Sequence, residues 1–293
     1  MKAESAAQAT ATLRELDRDR YFATLVLPEA VRPAVTALFA FSAEVAAIRE
    51  RAGEPMPGEI RLQWWKDALQ GQGHGEVRQN PLADALLSAI AEYSLPTAPL
   101  VRLLEARRFD LYQDPMPDMA SLEGYAGETV SVLYQLAAMI LNEGGPVETG
   151  DAAGHLGVAQ ALTGHLRAFG YNAAHGRIFL PLSVFAAHGA NEKQILAGET
   201  TDGIRSARAQ LIEIARDHLA RAETSIAGLP RRLRPAFAAA ALIGPQLRGV
   251  EAMSATPYVL PPDPADWRKL AILAWRSVRT RSRARPGVPR PSP

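Results

Sequence analysis

The chain has 293 residues, 47% of them hydrophobic and 22% charged, ordinary proportions for a globular protein that can bury a full core. It contains no cysteine, which excludes disulfides, thiolate catalysis and zinc–thiolate centres. A formal charge of +1 gives no case for nucleic-acid binding across the whole surface, and no apolar run approaches the roughly 18 residues of a membrane-spanning helix.

Alanine is abundant and aromatic residues make up only 6% of the chain, a composition that favours helix over strand. The first residues, MKAESAAQATATLRELDRDRY, lack an apolar core and carry acids early, so they read as neither a signal peptide nor a transit peptide. Residues 1–16 read as a lead-in, frayed or a short helix. Asp17–Tyr21 is polar and Phe22–Leu27 apolar. Pro28 and Glu29 suit the first turn of a helix, continued by Val31, Val35, Leu38, Val45 and Ile48 near helical spacing. Gly and two prolines predict a loop over 51–58. GEIRLQWWKDALQG, residues 58–71, predicts a helix closed by glycine. In it one of Trp64 and Trp65 reads as core and the other as its edge; the functional reading makes Trp65 a pocket wall, with Lys66 facing an anion. Gly71–Gly75 has neither the strand nor the lysine of a phosphate loop and reads as a connector.

Asn80–Pro81 caps the next helix. Leu100–Tyr112 predicts another, whose Glu105 and Asp110 read as a mixed-charge surface rather than catalytic acids. Ser121–Asn142 predicts a long apolar helix that includes Tyr125, Ser131 and Tyr134. Asp151 caps the helix that carries GVAQALTGHLRAFGYNAAHGRIFLP, residues 157–181. A short helix then ends at Gly189, and Asn191 with Gln194 has capping-box form. An amphipathic helix is predicted over 204–227. Residues 235–253 predict helix interrupted at Gly244–Pro245, and Asp263–Pro264 starts the last helix, with Trp267, Leu270, Ile272, Leu273 and Trp275. From Arg276 the chain reads RSVRTRSRARPGVPRPSP, a basic tail expected to be disordered at its end. It reads either as a solvated terminus or as a contact with an anionic membrane, at about 1 kcal/mol per arginine; non-specific RNA contact ranks lower.

The stretch 157–181 resembles the squalene/phytoene synthase family, whose pattern there is roughly G-x-A-x-Q-L-T-N-I-L-R-D-x-x-E-D-x-x-x-G-R-x-Y-L-P. Gly157, Ala159, Leu162, Thr163, Leu166, Arg167, Gly176, Arg177, Leu180 and Pro181 match it. The acidic positions hold Ala168, Tyr171 and Asn172 instead. The family's other acidic cluster, in Y-A-F-C-R-x-x-D-D-x-x-D, is similar to Phe39–Glu50, where Ala46 and Ala47 replace two aspartates and Glu50 stands at the third. The resemblance implies an all-α, single-domain helical bundle of isoprenoid-synthase type around a central cavity, over residues 17–275. In that family Mg²⁺ ions held by carboxylates neutralise a departing diphosphate. Positions 168 and 172 share a helical face, but alanine offers no ligand and asparagine only a neutral carbonyl. Tyr125 matches the family's Y-C-x-x-V-A-G-x-V-G; Ser131 and Tyr134 stand at its glycines, and Tyr134 would partly fill the cavity.

DRDRYFATLVLP with Tyr21, GEIRLQWWKDAL, YAGET and the acid-free GRIFLP look most like the branch of that family that includes a mitochondrial assembly factor of respiratory complex I. That likeness implies a non-catalytic protein with no cofactor. It would meet protein partners, respiratory complex I subunits among them, and an isoprenoid is a further implied ligand. The expected place is the cytoplasm, with peripheral contact at the inner face of a bacterial cytoplasmic membrane. The alternative is a Mg²⁺-dependent prenyltransferase that condenses two prenyl diphosphates, for which Arg167, Arg177, Tyr125, Lys66 and Glu50 remain as diphosphate-facing candidates. No catalytic residue or metal ligand is assigned. The histidines recur at ten-residue intervals, which do not return to one helical face, and no specific nucleic-acid motif is present.

Overall fold

The structure is a computed structural model and describes residues 1–73 and 75–282. Among these residues sixteen α-helices follow one another without a strand. They are α1 (Ala3–Leu16), α2 (Arg18–Thr24), α3 (Arg32–Ala46), α4 (Ile48–Ala52), α5 (Pro55–Gln70), α6 (Pro81–Glu92), α7 (Ala98–Arg107) and α8 (Met119–Ala126). After them come α9 (Val132–Leu141), α10 (Asp151–Arg167), α11 (Phe169–Ala174), α12 (Leu182–Ala187), α13 (Glu192–Leu196), α14 (Asp202–Gly228), α15 (Ala240–Ala252) and α16 (Asp266–Ser282).

α3 and α10 lie at the centre. α3 packs on α1, α6 and α9, and α10 on α14 and α15. Of the fifteen residues of α3, all from Ala34 to Ala43 are buried, together with Val45. Small alanines at 34, 37, 40 and 43 let neighbouring helices come close while Val35, Leu38, Phe39 and Phe41 fill the space between them. α10 makes a similar approach on its other side. A Cβ at Gly157 would stand 2.0 Å from Ser131 Oγ and 2.8 Å from the Ser131 backbone nitrogen. That glycine matches the family pattern because two backbones cross there.

Residues 127–131 join α8 to α9 as one π turn, so the predicted helix over 121–142 is continuous but irregular. Thr129 Oγ1 donates back to the Tyr125 carbonyl at 2.6 Å. A π turn of this kind is a widened, one-residue bulge within an otherwise α-helical run.

Several expectations need correction. Of the two readings of residues 1–16, the helix holds and the frayed lead-in does not: α1 packs on α3 and α6, Ala9 and Leu13 are fully buried, and Ser5 Oγ donates to Asp84 Oδ2 at 2.8 Å. The third helix begins at Arg32, with Pro33 in its first turn instead of Pro28. The loop expected over 51–58 shrinks to residues 53–54. Pro55 and Pro57 open α5, where their missing N–H groups cost nothing. Pro245 lies inside α15, and the break falls earlier, at residues 238–239. The final helix starts at Asp266 and runs past 275, so the tail boundary lies inside α16. The end of the basic tail, residues 283–293, and His74 lie outside the described residues. The capping box of Asn191 and Gln194 forms as expected, and Gly71 closes α5 in the left-handed conformation.

Candidate functional site

The segment 176–181 leaves α11 extended and runs beside residues 113–117. The Met116 N–H donates to the Ile178 carbonyl at 2.8 Å, and the Leu182 N–H to the Met116 carbonyl at 2.8 Å. Gly176, at φ 71°, makes the turn that aims Arg177 and Phe179 inward. Arg177 is 7% exposed. Its Nη1 donates to Glu50 Oε1 at 3.1 Å, and its guanidinium lies 6.0 Å from the Phe179 ring centroid and 5.8 Å from that of Tyr171.

A second ionic unit faces this pair. Arg107, at the end of α7, donates through Nη1 to Asp110 Oδ2 at 2.8 Å and to the Tyr125 hydroxyl at 2.7 Å. The Tyr125 hydroxyl in turn donates to Asp110 Oδ1 at 2.6 Å. The irregular turn after α7 produces this triad, because residues 108–111 tighten into a 3₁₀ turn that carries Asp110 back toward Arg107. Aromatic rings join the two units. Phe109 meets Tyr125 and Phe179 edge-on, at 5.9 Å each. His165 stacks on Phe179 at 4.9 Å and lies 6.3 Å from Tyr125.

The electrostatics follow from burial. Burial opposes the charge of Arg107, but Tyr125, Asp110 and Glu50 more than offset it and hold its pKa above the ordinary value. Burial pushes the Tyr125 hydroxyl well up, so it remains a donor. Burial and the nearby Arg107 push His165 down to about 3, which keeps the ring neutral at physiological pH. The cluster therefore holds two cations, two carboxylates and no spare charge. Ion pairs of this kind neutralise themselves, and each carboxylate oxygen has a protein donor or lies at the solvent edge.

That arrangement does not fit a Mg²⁺ cluster. Ala46 and Ala47 sit where α3 ends, and Ala168 where α10 passes into α11; none offers an oxygen ligand. Asn172 is buried, and its backbone carbonyl accepts from Arg177 N–H at 2.9 Å. Glu50 is taken by Arg177 and Asp110 by Arg107 and Tyr125. Among the described residues no three His, Cys, Asp or Glu side chains are grouped as a metal site.

Of the positions the sequence singles out, Glu50, Tyr125 and Arg177 come together here. Arg167 does not. It pairs with Asp263 at 2.7 Å and approaches Asp19 at 3.8 Å. Lys269 bridges the same two acids, reaching Asp19 at 2.6 Å. Lys66 pairs with Glu105 at 2.5 Å on the flank between α5 and α7. Trp65 is buried, edge-on to Phe41 at 4.9 Å and to the half-buried Trp64 at 5.0 Å. It also reaches the floor of an open groove of about 640 Å³ beside Ile48 and Arg51. Tyr21 is half-buried against Phe22, 5.6 Å away. Tyr134 is fully buried, stacked on Phe237 at 5.8 Å and edge-on to Phe39 at 6.3 Å. Its hydroxyl donates to Gln160, and burial raises its pKa to about 12. These three rings fill space between α3, α9 and the turn 234–237.

Arg107, His165 and Phe179 are members that sequence reading passes over, and Asp110 is one that it weighs and sets aside. A usable signal exists only for Arg107 and Asp110, as an i,i+3 pair of opposite charge near a matched tyrosine. Asp110 is buried, contrary to its reading as a surface charge.

Comparison with known proteins places these features. A sequence model described as squalene/phytoene synthase matches residues 13–275. Complex I assembly factor 6 of NADH dehydrogenase (ubiquinone) from Mus musculus is 28% identical over 225 residues, 77% of this chain and 67% of that protein. The 15-cis-phytoene synthase of Synechococcus elongatus is 26% identical over 271 residues, 88% of each chain. Among solved structures, a dehydrosqualene synthase in complex with a ligand superposes with a TM-score of 0.79 at 20% identity, covering 95% of this chain and 97% of the other. That likeness is one of fold.

Proposed function

The chain belongs to the squalene/phytoene synthase family, and from that premise we propose that it is a non-catalytic member that acts through protein partners in the assembly of respiratory complex I. One observation carries the reading: the carboxylates at the site are each held by an arginine, Glu50 by the buried Arg177 and Asp110 by the largely shielded Arg107. Ionising a prenyl diphosphate needs free acids that gather divalent cations. Arginines can bind diphosphate oxygens, but these two are already engaged. The named assembly factors among its relatives support the choice of pathway. Lipid contact at the inner face of a bacterial cytoplasmic membrane is part of the same proposal, with an isoprenoid as a further proposed ligand.

The test has two arms run on the full chain. Affinity capture from detergent-solubilised membranes is expected to recover subunits of NADH dehydrogenase intermediates. Incubation with Mg²⁺ and farnesyl or geranylgeranyl diphosphate is expected to yield no condensation product. Turnover in the second arm would overturn the proposal in favour of a prenyltransferase. Failure to recover those subunits in any detergent would remove the assembly role.

A further inference from the structure

The polarity of α16 is reversed relative to an ordinary surface helix. Its inner side buries Lys269 together with Leu273, which packs with Phe22, Ala241 and Leu242. Ion pairs fasten that side: Lys269 to Asp19 and Asp263, Arg276 to Glu223 at 2.7 Å, and Arg18 to Asp266. Its outer side presents Trp267, Leu270, Ala271, Ala274 and Trp275, spaced three and four apart on one face. Trp267 is 66% exposed and Trp275 61%. The loop that leads into the helix adds Val259 and Leu260, 51% and 70% exposed. Arg268 lies over Trp267 at 5.2 Å and flanks this face.

Charge is divided along the chain in the same sense. The 32 Lys and Arg and the 31 Asp and Glu nearly cancel overall. Eight of those cations and none of the acids lie in residues 267–293, which leaves 24 cations against 31 acids in residues 1–266. The body therefore carries −7 and the last 27 residues +8. An acidic body is repelled by an anionic surface, and only one end of the chain is attracted to it.

We propose that the outer face of α16, with Val259 and Leu260 beside it, is a docking surface for an anionic lipid bilayer, on which the helix lies flat. This rests on the membrane part of the function proposed above and names the element and the lipid class. Tryptophans suit the headgroup level, where the ring is half in hydrocarbon and its N–H half in water. A helix in this plane gains from buried apolar area and from basic residues near anionic headgroups together. The sequence from Arg276 onward, which holds six arginines and no acid, supplies the second contribution. Nucleic acid would use the arginines but not an exposed face of tryptophan, leucine and valine without bases stacked on it.

Purified full-length chain is mixed with vesicles of phosphatidylcholine alone or with phosphatidylglycerol, and bound protein is read by flotation and tryptophan emission. Binding with a blue shift is expected on the phosphatidylglycerol vesicles, weakening as salt rises, and little on phosphatidylcholine alone. The combined variant Trp267→Ala, Leu270→Ala, Trp275→Ala should partition at least about tenfold more weakly, with an unchanged helical circular dichroism spectrum because these side chains are exposed. Equal binding by that variant, equal binding to both vesicle types, or binding to RNA in preference to vesicles would each overturn the proposal. Capture of complex I intermediates in detergent by a chain that ignores vesicles would sink this surface and leave the assembly role standing.

Discussion

Two ionic clusters in this molecule look alike and differ in what surrounds them. The first, Arg107–Asp110–Tyr125 with Glu50–Arg177, is enclosed by Phe109, His165 and Phe179. The second joins Asp19, Arg167, Asp263 and Lys269 where α2, the end of α10 and α16 meet, with Gln246 donating to Asp19 at 2.5 Å. In the first, Asp110 and its partner Arg107 are shielded at side-chain exposures of 11% and 14%. In the second, the acids remain 21% and 47% exposed. The same charges therefore do different work: one cluster ties α7 to α8 and α4 to the segment 176–181, and the other tethers the C-terminal helix to the body.

The comparison can be broken by removing one partner from each. Asp110→Ala strands Arg107 among aromatic rings and should cost about 3–5 kcal/mol of unfolding free energy. Lys269→Met leaves Asp19 and Asp263 where water can reach them and should cost only about 1–2 kcal/mol. Chemical denaturation of both variants measures the gap, and equal losses would erase the distinction. A pH series sharpens it. His165 titrates near 6.5 in an unfolded chain and at about 3 when folded. Below pH 6.5 the unfolded state takes up a proton that the folded state refuses. Stability should therefore fall as pH drops from 6.5 toward 3, by at most about 1.4 kcal/mol per pH unit from this group. His165→Gln should flatten that slope. The smallest effect belongs to Glu50→Gln. Its carboxylate is 43% exposed, so losing its charge should cost less than about 1 kcal/mol. Its diagnostic is coupling: a double-mutant cycle with Arg177→Met should return a small favourable term, and none at all would detach Glu50 from the site.

The same contrast marks what the residues alone could reveal. The helical class, the caps at Asn80 and Asn191 and the stop at Gly71 were legible because each depends on a few neighbouring residues. Ala46, Ala47 and Ala168 can be set against the family's acidic positions because flanking matches align them. Arg167 misled. It matches the family pattern, yet an unforeseen partner nearly a hundred residues away, Asp263, takes it. Asp110 misled in the opposite sense, since its burial depends on a 3₁₀ turn that no local signal announces. α1 is undervalued by its letters because its buried face, Ser5, Ala9, Thr12 and Leu13, holds only one large apolar side chain. Non-local pairing, not propensity, decided each of these.

The π turn at Gly127–Ser131 has a consequence for relatives as well as for this chain. One additional residue in a turn advances the angular phase of everything downstream by about 100°. Tyr125 and Tyr134 thus sit on a shaft with a built-in twist, and counting along the letters misjudges which way the later ring points. A homologue that deleted a single residue here would rotate its counterpart of Tyr134 away from Phe39 and Phe237, reopening the interior without altering one side chain in the wall.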